Sequence, residues 1–373
     1  MARRAQILGA LAALALLGPG GRAQDWTAPE VREHDDWSVA CDNSRTCEAI
    51  SVSPEYAARI AGADAGDLAM PMLRVVRAPG PGAKPRIFVD RRIWDAVPER
   101  RALTLHVYYD GEGDRTGPAY RLIGSADGLD EVDPRDVPAF LAESARTSQA
   151  ATRNRDGSMH GLITTRGMIA ALRYVDEVQG RRDNVTAIYA RGASPASSVF
   201  PARPLPVVAP IPGVAGGRES TAEVSALRDL RDRICGVGAE PGSITVKRHM
   251  LANGHRLWAV NCGTMNGFPA TLWLIDTGTG PEIRKLPRPE QGRPAIDPYL
   301  PDSSFDARTG IITARYADGR FGDCGWERKW AWNGSRFEMI SAREMRACLG
   351  ILTDRWLVTY RTRDANRKGD GRR

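Results

Sequence analysis

Histidine and lysine are scarce in this 373-residue chain: five of each, so that the 52 Lys+Arg are nearly all arginine. The histidines, His34, His106, His160, His249 and His255, are scattered, and no H-E-x-x-H pair stands on any segment. A G-x-S-x-G nucleophile elbow is missing too. The glycine-rich "APGPGAKP" lacks the Gly-Lys-Ser/Thr ending of a phosphate loop, and its prolines remove the N–H donors such a loop needs. No apolar run is long enough to cross a bilayer core, which takes ~20 residues. The longest, Ile7–Leu17, follows Arg3 and Arg4 and precedes the small-residue exit Gly21-Arg22-Ala23. That order predicts a cleavable export signal over 1–23, with no cysteine just after it to take a lipid.

The basic balance is also thin. The formal charge of +7 comes from three arginines in the leader and from the ending "RTRDANRKGDGRR" (361–373); without these segments 43 cations face 43 acids. A neutral body means that the basic balance argues for a basic tail and not for a nucleic-acid face. What is present is β-branched and aromatic sequence cut by turns, as in "PMLRVVRAPGPG", "PRIFVDRR", "LTLHVYYDGEGD" and "AYRLIGS", which reads as antiparallel sheet. One helix interrupts it, with Thr165 as N-cap, a stripe of Met168, Ala171, Leu172, Val175 and Val178, and a stop at Gly180. The six prolines of 193–217 predict an extended linker. Beyond it a second helix opens with Ser220 and Glu223 at capping-box spacing. It carries Val224, Leu227, Leu230 and Ile234 on one face, ends at Cys235-Gly236, and precedes further strands such as "HRLWAVNCG" and "TLWLIDTG". The fold class is mainly β: two antiparallel-sheet domains, each with one covering α-helix, joined by a Pro-rich linker. The expected bounds are 24–192 for the first domain, 218–360 for the second and 361–373 for a basic tail.

Six cysteines in an exported chain suggest disulfides. In "DDWSVACDNSRTCEAIS" a hairpin turning on "DNSRT" sets Cys41 opposite Cys47, within disulfide reach. A metal needs three or four ligands, and no second pair lies nearby; the C-x-x-C of a redox site is absent. Joining Cys235, at the helix end, to Cys262, at a strand end, pins helix to sheet. That leaves Cys324 with Cys348.

Candidate chemistry is sparse. "GDCGWERKWAWNGSRFEMIS" predicts a two-residue turn at Asn333-Gly334, pairing Trp332 with Ser335 and Trp330 with Phe337. It gathers Trp326, Trp330 and Trp332 on one face, either a wall for stacking on sugars or, the favoured reading, a core face with charges opposite. A similar turn at Asn253-Gly254 pairs His249 with Trp258 and sends His249 and His255 to opposite faces, so they share no metal. Asp110, Glu112 and Asp114 in "DGEGD" alternate as in a calcium loop, without the glycine at the sixth position or the glutamate at the twelfth. The sequence therefore assigns no catalytic, cofactor or metal residue.

"DWSVACDNSRTCEAI", "MIAALRYVDEVQGR" followed by "VTAIYARG", and "GDCGWERKWAWNGSRFEM" followed by Cys348 resemble an uncharacterised family of exported proteobacterial proteins of unknown function, and the opening half is also similar to the invasion-associated locus B family. The chain departs from that pattern at Leu349-Gly350 and Trp356-Leu357, where arginine-glycine and a Trp-Pro pair are expected. The resemblance implies a periplasmic location and carries no catalytic residue. The expected function is a periplasmic or secreted binding or envelope-interaction protein, with a periplasmic protein or cell-envelope component as partner. Alternatives are an inhibitor of a cell-wall-degrading enzyme, with "APGPGAKP" or "DGEGD" as plug, or a hydrolase without recognised motifs.

Overall fold

The computed structural model describes residues 30–51, 71–91, 102–109, 116–214, 216, 219–235, 245–265, 267–283, 286–288, 299–319, 322–348 and 350–366. The expected leader at 1–23, the "DGEGD" turn and the end of the chain at 367–373 lie outside these residues. The chain is mainly β, with three α-helices among the described residues.

The first half supplies β1 (Arg32–His34), β2 (Trp37–Cys41), β3 (Cys47–Ser51), β4 (Met72–Arg77), β5 (Arg86–Asp90), β6 (Thr104–Tyr108), β7 (Thr116–Ile123), β8 (Leu129–Val132), α1 (Val137–Ser144), β9 (Gln149–Arg153), β10 (Met159–Thr164) and α2 (Met168–Val178). The ten strands form one sheet in the order β1-β2-β3-β4-β5-β8-β7-β6-β9-β10. The sheet curls until its ends meet at Asp36, whose carboxylate accepts hydrogen bonds from the Thr164 hydroxyl (2.7 Å) and the Arg166 guanidinium (2.6 Å). Helix α2 fills the concave side, burying Met168, Ala171, Leu172 and Val175 against Trp37, Val39, Leu73 and Ile87.

Two details depart from the sequence reading. This half holds two helices, because Pro138 sits in the first turn of α1, where its missing N–H has no intrahelical partner to lose. Helix α2 is capped by Gly167 instead of Thr165, whose hydroxyl is spent on the Thr147 carbonyl (2.8 Å). Gly167 has φ +90° and lies so close to β1 that a Cβ there would stand 1.9 Å from the His34 carbonyl oxygen. Only glycine admits that approach.

The second half begins with β11 (Val207–Val208) and α3 (Thr221–Cys235), whose Ser220 and Glu223 do exchange capping-box hydrogen bonds. A sheet follows of β12 (Val246–Met250), β13 (Arg256–Met265), β14 (Phe268–Asp276), β15 (Pro281–Ile283) and β16 (Tyr299–Pro301). A second contains β17 (Ser303–Asp306), β18 (Ile311–Asp318), β19 (Cys324–Trp332), β20 (Phe337–Met345) and β21 (Leu357–Arg361). The two sheets sandwich one core, with Leu257, Trp273 and Ile275 facing Ile312, Trp330, Trp332, Phe337 and Met339. Helix α3 covers the outer face of the first sheet through Leu227 against Trp258, Val260 and Leu272. Disulfides join Cys41 to Cys47, Cys235 to Cys262 and Cys324 to Cys348.

The halves are not strung on a free linker. Val31, Ala40, Ile50 and Met72 of the first half and Met345, Ile351, Trp356 and Leu357 of the second form a single buried cluster. Ion pairs frame it: Arg361 with Asp42, Arg74 with Glu48 (2.7 Å) and Arg355 with Asp90 (3.5 Å). The proline-rich segment is a strap over this assembly. Arg203 N–H donates to the Ser44 carbonyl, Ile211 N–H to Trp332 and Gly213 N–H to Ala307. The expected tail starts too early as well. Arg361 closes β21, and β22 (Arg363–Asp364) pairs in parallel with β11.

Both turn registers also shift. At Asn333 the loop is four residues long, because the Asn333 carboxamide oxygen accepts the N–H groups of Ser335 (3.0 Å) and Arg336 (2.9 Å); Trp332 pairs Phe337, and Trp330 pairs Met339. At Asn253 the loop is Ala252–Gly254, closed by Leu251 N–H to the His255 carbonyl (2.8 Å), and His249 pairs Leu257 instead of Trp258. A one-residue slip exchanges the faces of a strand, so Lys247 and His249 lie on the sandwich-facing side, opposite Ala259 and Leu257.

Candidate functional site

Of the three tryptophans on the predicted aromatic face, Trp330 and Trp332 are fully buried in the sandwich core, with Trp330 Nε1 donating to the Pro287 carbonyl (2.8 Å) and Trp332 packed on Phe337 and His255. Trp326 is half-buried, with the Arg328 guanidinium 4.2 Å from its ring centre and Tyr316 beside it at 6.3 Å. Two of the three are closed to any ligand. The histidines stay dispersed: His34 beside Tyr174, His106 bonded to Thr104, His160 to Thr152, His249 against Phe305 and His255 against Trp332. Among the described residues one cluster has metal-ligand spacing, Asp323 with Cys324 and Cys348. Its sulfurs are bonded to each other, so they are not the thiolates a metal takes.

Three hollows lined by described residues bear on function. One of about 500 Å³ lies between the strap and the β19–β20 hairpin, lined by Val207, Val208, Phe337, Met339 and the ion-paired Arg336 and Glu338. One of about 450 Å³ lies on the first half beside "APGPGAKP" and is lined mainly by proline and aliphatic side chains. That loop is pinned to the body: the Ala83 carbonyl accepts from Arg77, and the Gly80 carbonyl accepts from Arg181. Its tip residues Pro81, Gly82 and Lys84 are exposed.

The third, about 280 Å³, opens at the mouth of the sandwich and is lined by Thr245, Lys247, His249, Ala259, Asn261, Thr271, Trp273, Ser303, Ser304 and Phe305. Its chemistry follows from the strands. On the inner face of β13 and β14 the cross-strand pairs run Leu257–Ile275, Ala259–Trp273 and Asn261–Thr271. Apolar residues at the closed end thus give way to amide and hydroxyl at the open end. Strand β12 adds His249 and Lys247 to the same face, and β17 brings Ser303, Ser304 and Phe305 across the opening. The Trp273 ring is fixed by Nε1–H donating to the Ser303 hydroxyl (3.0 Å), which itself donates to the Leu300 carbonyl (3.3 Å).

His249 is held below the usual imidazole pKa, first by burial and then by the Lys247 charge, with Glu219 opposing. It presents a neutral imidazole at neutral pH. Among the described residues it has no hydrogen bond to either serine, and Ser303 is committed elsewhere. The hollow therefore holds donors, acceptors and two rings without a linked nucleophile and base. Sequence reasoning considered His249 only as a metal ligand and passed over Lys247, Asn261, Thr271 and Ser304. A usable signal was present: Leu257-x-Ala259-x-Asn261 and Thr271-x-Trp273-x-Ile275 each carry one polar residue at the end of an otherwise apolar face.

Elsewhere, buried charge is structural. Asp176 on α2 is fully buried, its pKa raised by burial; it accepts from Arg77 (2.9 Å) and from the Ile188 and Tyr189 N–H groups, tying the "VTAIYARG" segment to the helix. Burial lowers the pKa of Arg77 to about 10.

Against known proteins, a family model described as "Protein of unknown function (DUF1176)" matches residues 31–363, across both halves. A protein of Escherichia coli (strain K12) described as "Uncharacterized protein YpfG" is 25% identical over 334 residues, covering 84% of this chain and 88% of its own length. No solved structure matches. The residues matched take in the curled sheet, the strap and the sandwich with its polar mouth, and the chain belongs to the DUF1176 family of proteins of unknown function.

Proposed function

We propose that this chain is an exported, non-catalytic recognition protein of the cell envelope that binds its target at the mouth of the second-half sandwich. The observation that carries this reading is the 280 Å³ hollow lined by hydroxyls, an amide, an ammonium and two rings, in which His249 and Ser303 are not joined as base and nucleophile. A hydrolase needs such groups linked and convergent; a binding site needs only the lining. Three disulfides support an oxidising compartment, in line with the leader read at 1–23, and among the described residues no helix is long and apolar enough to cross a membrane.

The division into a first unit at 24–192 and a second that begins at 218 and runs through β22, with the strap between, belongs to the same proposal, as does the likeness of the first half to the invasion-associated locus B family. The inhibitor reading rests on the exposed tip of "APGPGAKP" alone, a loop whose Gly80 and Ala83 carbonyls are tied to the body. The test is co-sedimentation of the purified chain with intact cell-wall sacculi, with and without His249→Ala and Lys247→Ala together. Retention of the native chain and release of the double variant support the proposal. Equal behaviour of the two moves the binding site away from the sandwich mouth.

A further inference from the structure

We infer that the sandwich mouth takes a single acidic sugar unit, a hydroxyl-rich ring bearing one carboxylate; the inference rests on the recognition reading above and names its ligand class. The hollow, at about 280 Å³, is just under the ~300–1,000 Å³ range of ordinary small-molecule sites, which limits the occupant to about one ring. A ligand that met only the rings at Trp273 and Phe305 would leave the polar wall unpaired, at a cost for each desolvated group. A small anion alone would leave the rings uncovered.

A sugar meets both. Its C–H face covers an aromatic ring, and Trp273 is already locked in place by Ser303. Its hydroxyls both donate and accept, as do those of Thr245, Thr271 and Ser304 opposite. The Asn261 carboxamide is half spent, since its oxygen accepts the Gly263 N–H at 2.9 Å, which leaves the NH₂ as a directed donor.

The acid group follows from charge. Among the described residues Lys247 is the one fully charged side chain in the lining, and it is exposed. The neighbouring Arg248 faces away, its guanidinium 3.2 Å from Glu223 and over the Trp258 ring. Among the described residues no carboxylate lines the hollow. Glu219, the acid felt by His249, accepts the Arg248 N–H at 2.9 Å. The described lining thus carries one positive charge, at its rim, and keeps the Glu219 carboxylate outside it, which suits one ligand carboxylate. Of the other two hollows, the 500 Å³ one pairs its Arg336 with Glu338, and the 450 Å³ one carries Lys84 but has no aromatic ring among its described lining residues.

The test is calorimetric titration of the full chain with glucuronate, glucose and inorganic phosphate, repeated with Lys247→Ala and Thr271→Val. The expected result is saturable one-to-one binding of glucuronate, with glucose weaker by about tenfold, the size of one charge-assisted contact. Lys247→Ala should bring glucuronate down to the affinity of glucose, and Thr271→Val should weaken both sugars alike. Unchanged urea midpoints would show that both variants fold. Binding of phosphate but neither sugar, or undiminished glucuronate binding by Lys247→Ala, overturns the inference. Absence of any sugar binding, with sacculus binding retained, overturns it while leaving the recognition reading standing.

Discussion

The side chain of Asn43 pairs with the backbone of Arg361 as a neighbouring strand would: Nδ2 donates to the Arg361 carbonyl at 2.9 Å, and Oδ1 accepts the Arg361 N–H at 2.9 Å. The turn between Cys41 and Cys47 is thereby docked on β21, 318 residues away in sequence. Asp42 beside it is fully buried; its Oδ1 accepts the Ser44 N–H (2.8 Å) and the Thr46 N–H (3.0 Å) while its other oxygen meets Arg361. The staple holds a polar loop in shape for contact with the other half.

Asn43→Ala should destabilise the whole chain by about 1–3 kcal/mol, the net worth of two part-buried hydrogen bonds. Urea unfolding read by far-ultraviolet circular dichroism gives the value. A change confined to a separate transition of one half would show that the contact does not couple them.

Trp330→Ala should cost roughly 3–5 kcal/mol, as expected for emptying a fully buried aromatic site, whereas half-buried Trp326→Ala should cost clearly less. Guanidinium unfolding of the two variants makes the comparison. A stable Trp330→Ala chain that lost only affinity for a glycan would return the aromatic face to the list of binding surfaces.

The bridges Cys235–Cys262 and Cys324–Cys348 close loops of 27 and 24 residues. On the chain-entropy model each stabilises by roughly 3–4 kcal/mol. Reductant should therefore lower the melting temperature more than chelator or salt does. A larger effect of chelator would point to a bound metal.

His249 has a depressed pKa in the folded chain relative to 6.5. The unfolded chain then takes up its proton first as pH falls. The contribution of His249 is fully present above about 6.5 and is lost as pH drops through the folded value. Urea midpoints between pH 8 and 5.5 should fall for the native chain and fall less for His249→Gln. Parallel slopes would remove the imidazole from the balance.

Much of the fold was legible because its signals are local. Strand alternation, the stripe on α2 and the Ser220–Glu223 spacing need no distant partner to be read. The shared core was harder. Every residue of "WSVAC" in β2 is buried, since Trp37, Val39 and Cys41 face α2 while Ala40 faces Trp356 and Leu357. A strand apolar on both faces is the signal for burial on both sides, but it does not say what covers the second face. The turn registers failed for a different reason. Each Asn-Gly was read as a two-residue turn that needs positive φ at both positions, yet at 333–334 only Gly334 adopts it, and the Asn333 side chain closes a longer loop. The slip at 253–254 mattered most, because it moved Lys247 and His249 to the inner face and so concealed the sandwich mouth.

The segments that carried the family resemblance hold polar structure: part-buried Asp36 at the sheet ends, and fully buried Asp42 in the stapled loop, Asp176 on α2 and Gln179 donating to the Arg45 and Arg77 carbonyls. Asp176→Asn should cost roughly 3–5 kcal/mol by leaving the buried Arg77 charge uncompensated. A thermal melt of that variant within a degree of the native chain would contradict this.

The account stands or falls on recognition without turnover. The direct measurement is release of soluble fragments from purified peptidoglycan, alongside ester and peptide substrates, by the native chain and by His249→Ala. The account predicts no release above the buffer control for either protein. Turnover by the native chain that His249→Ala abolishes would contradict it and would make the sandwich mouth an active site.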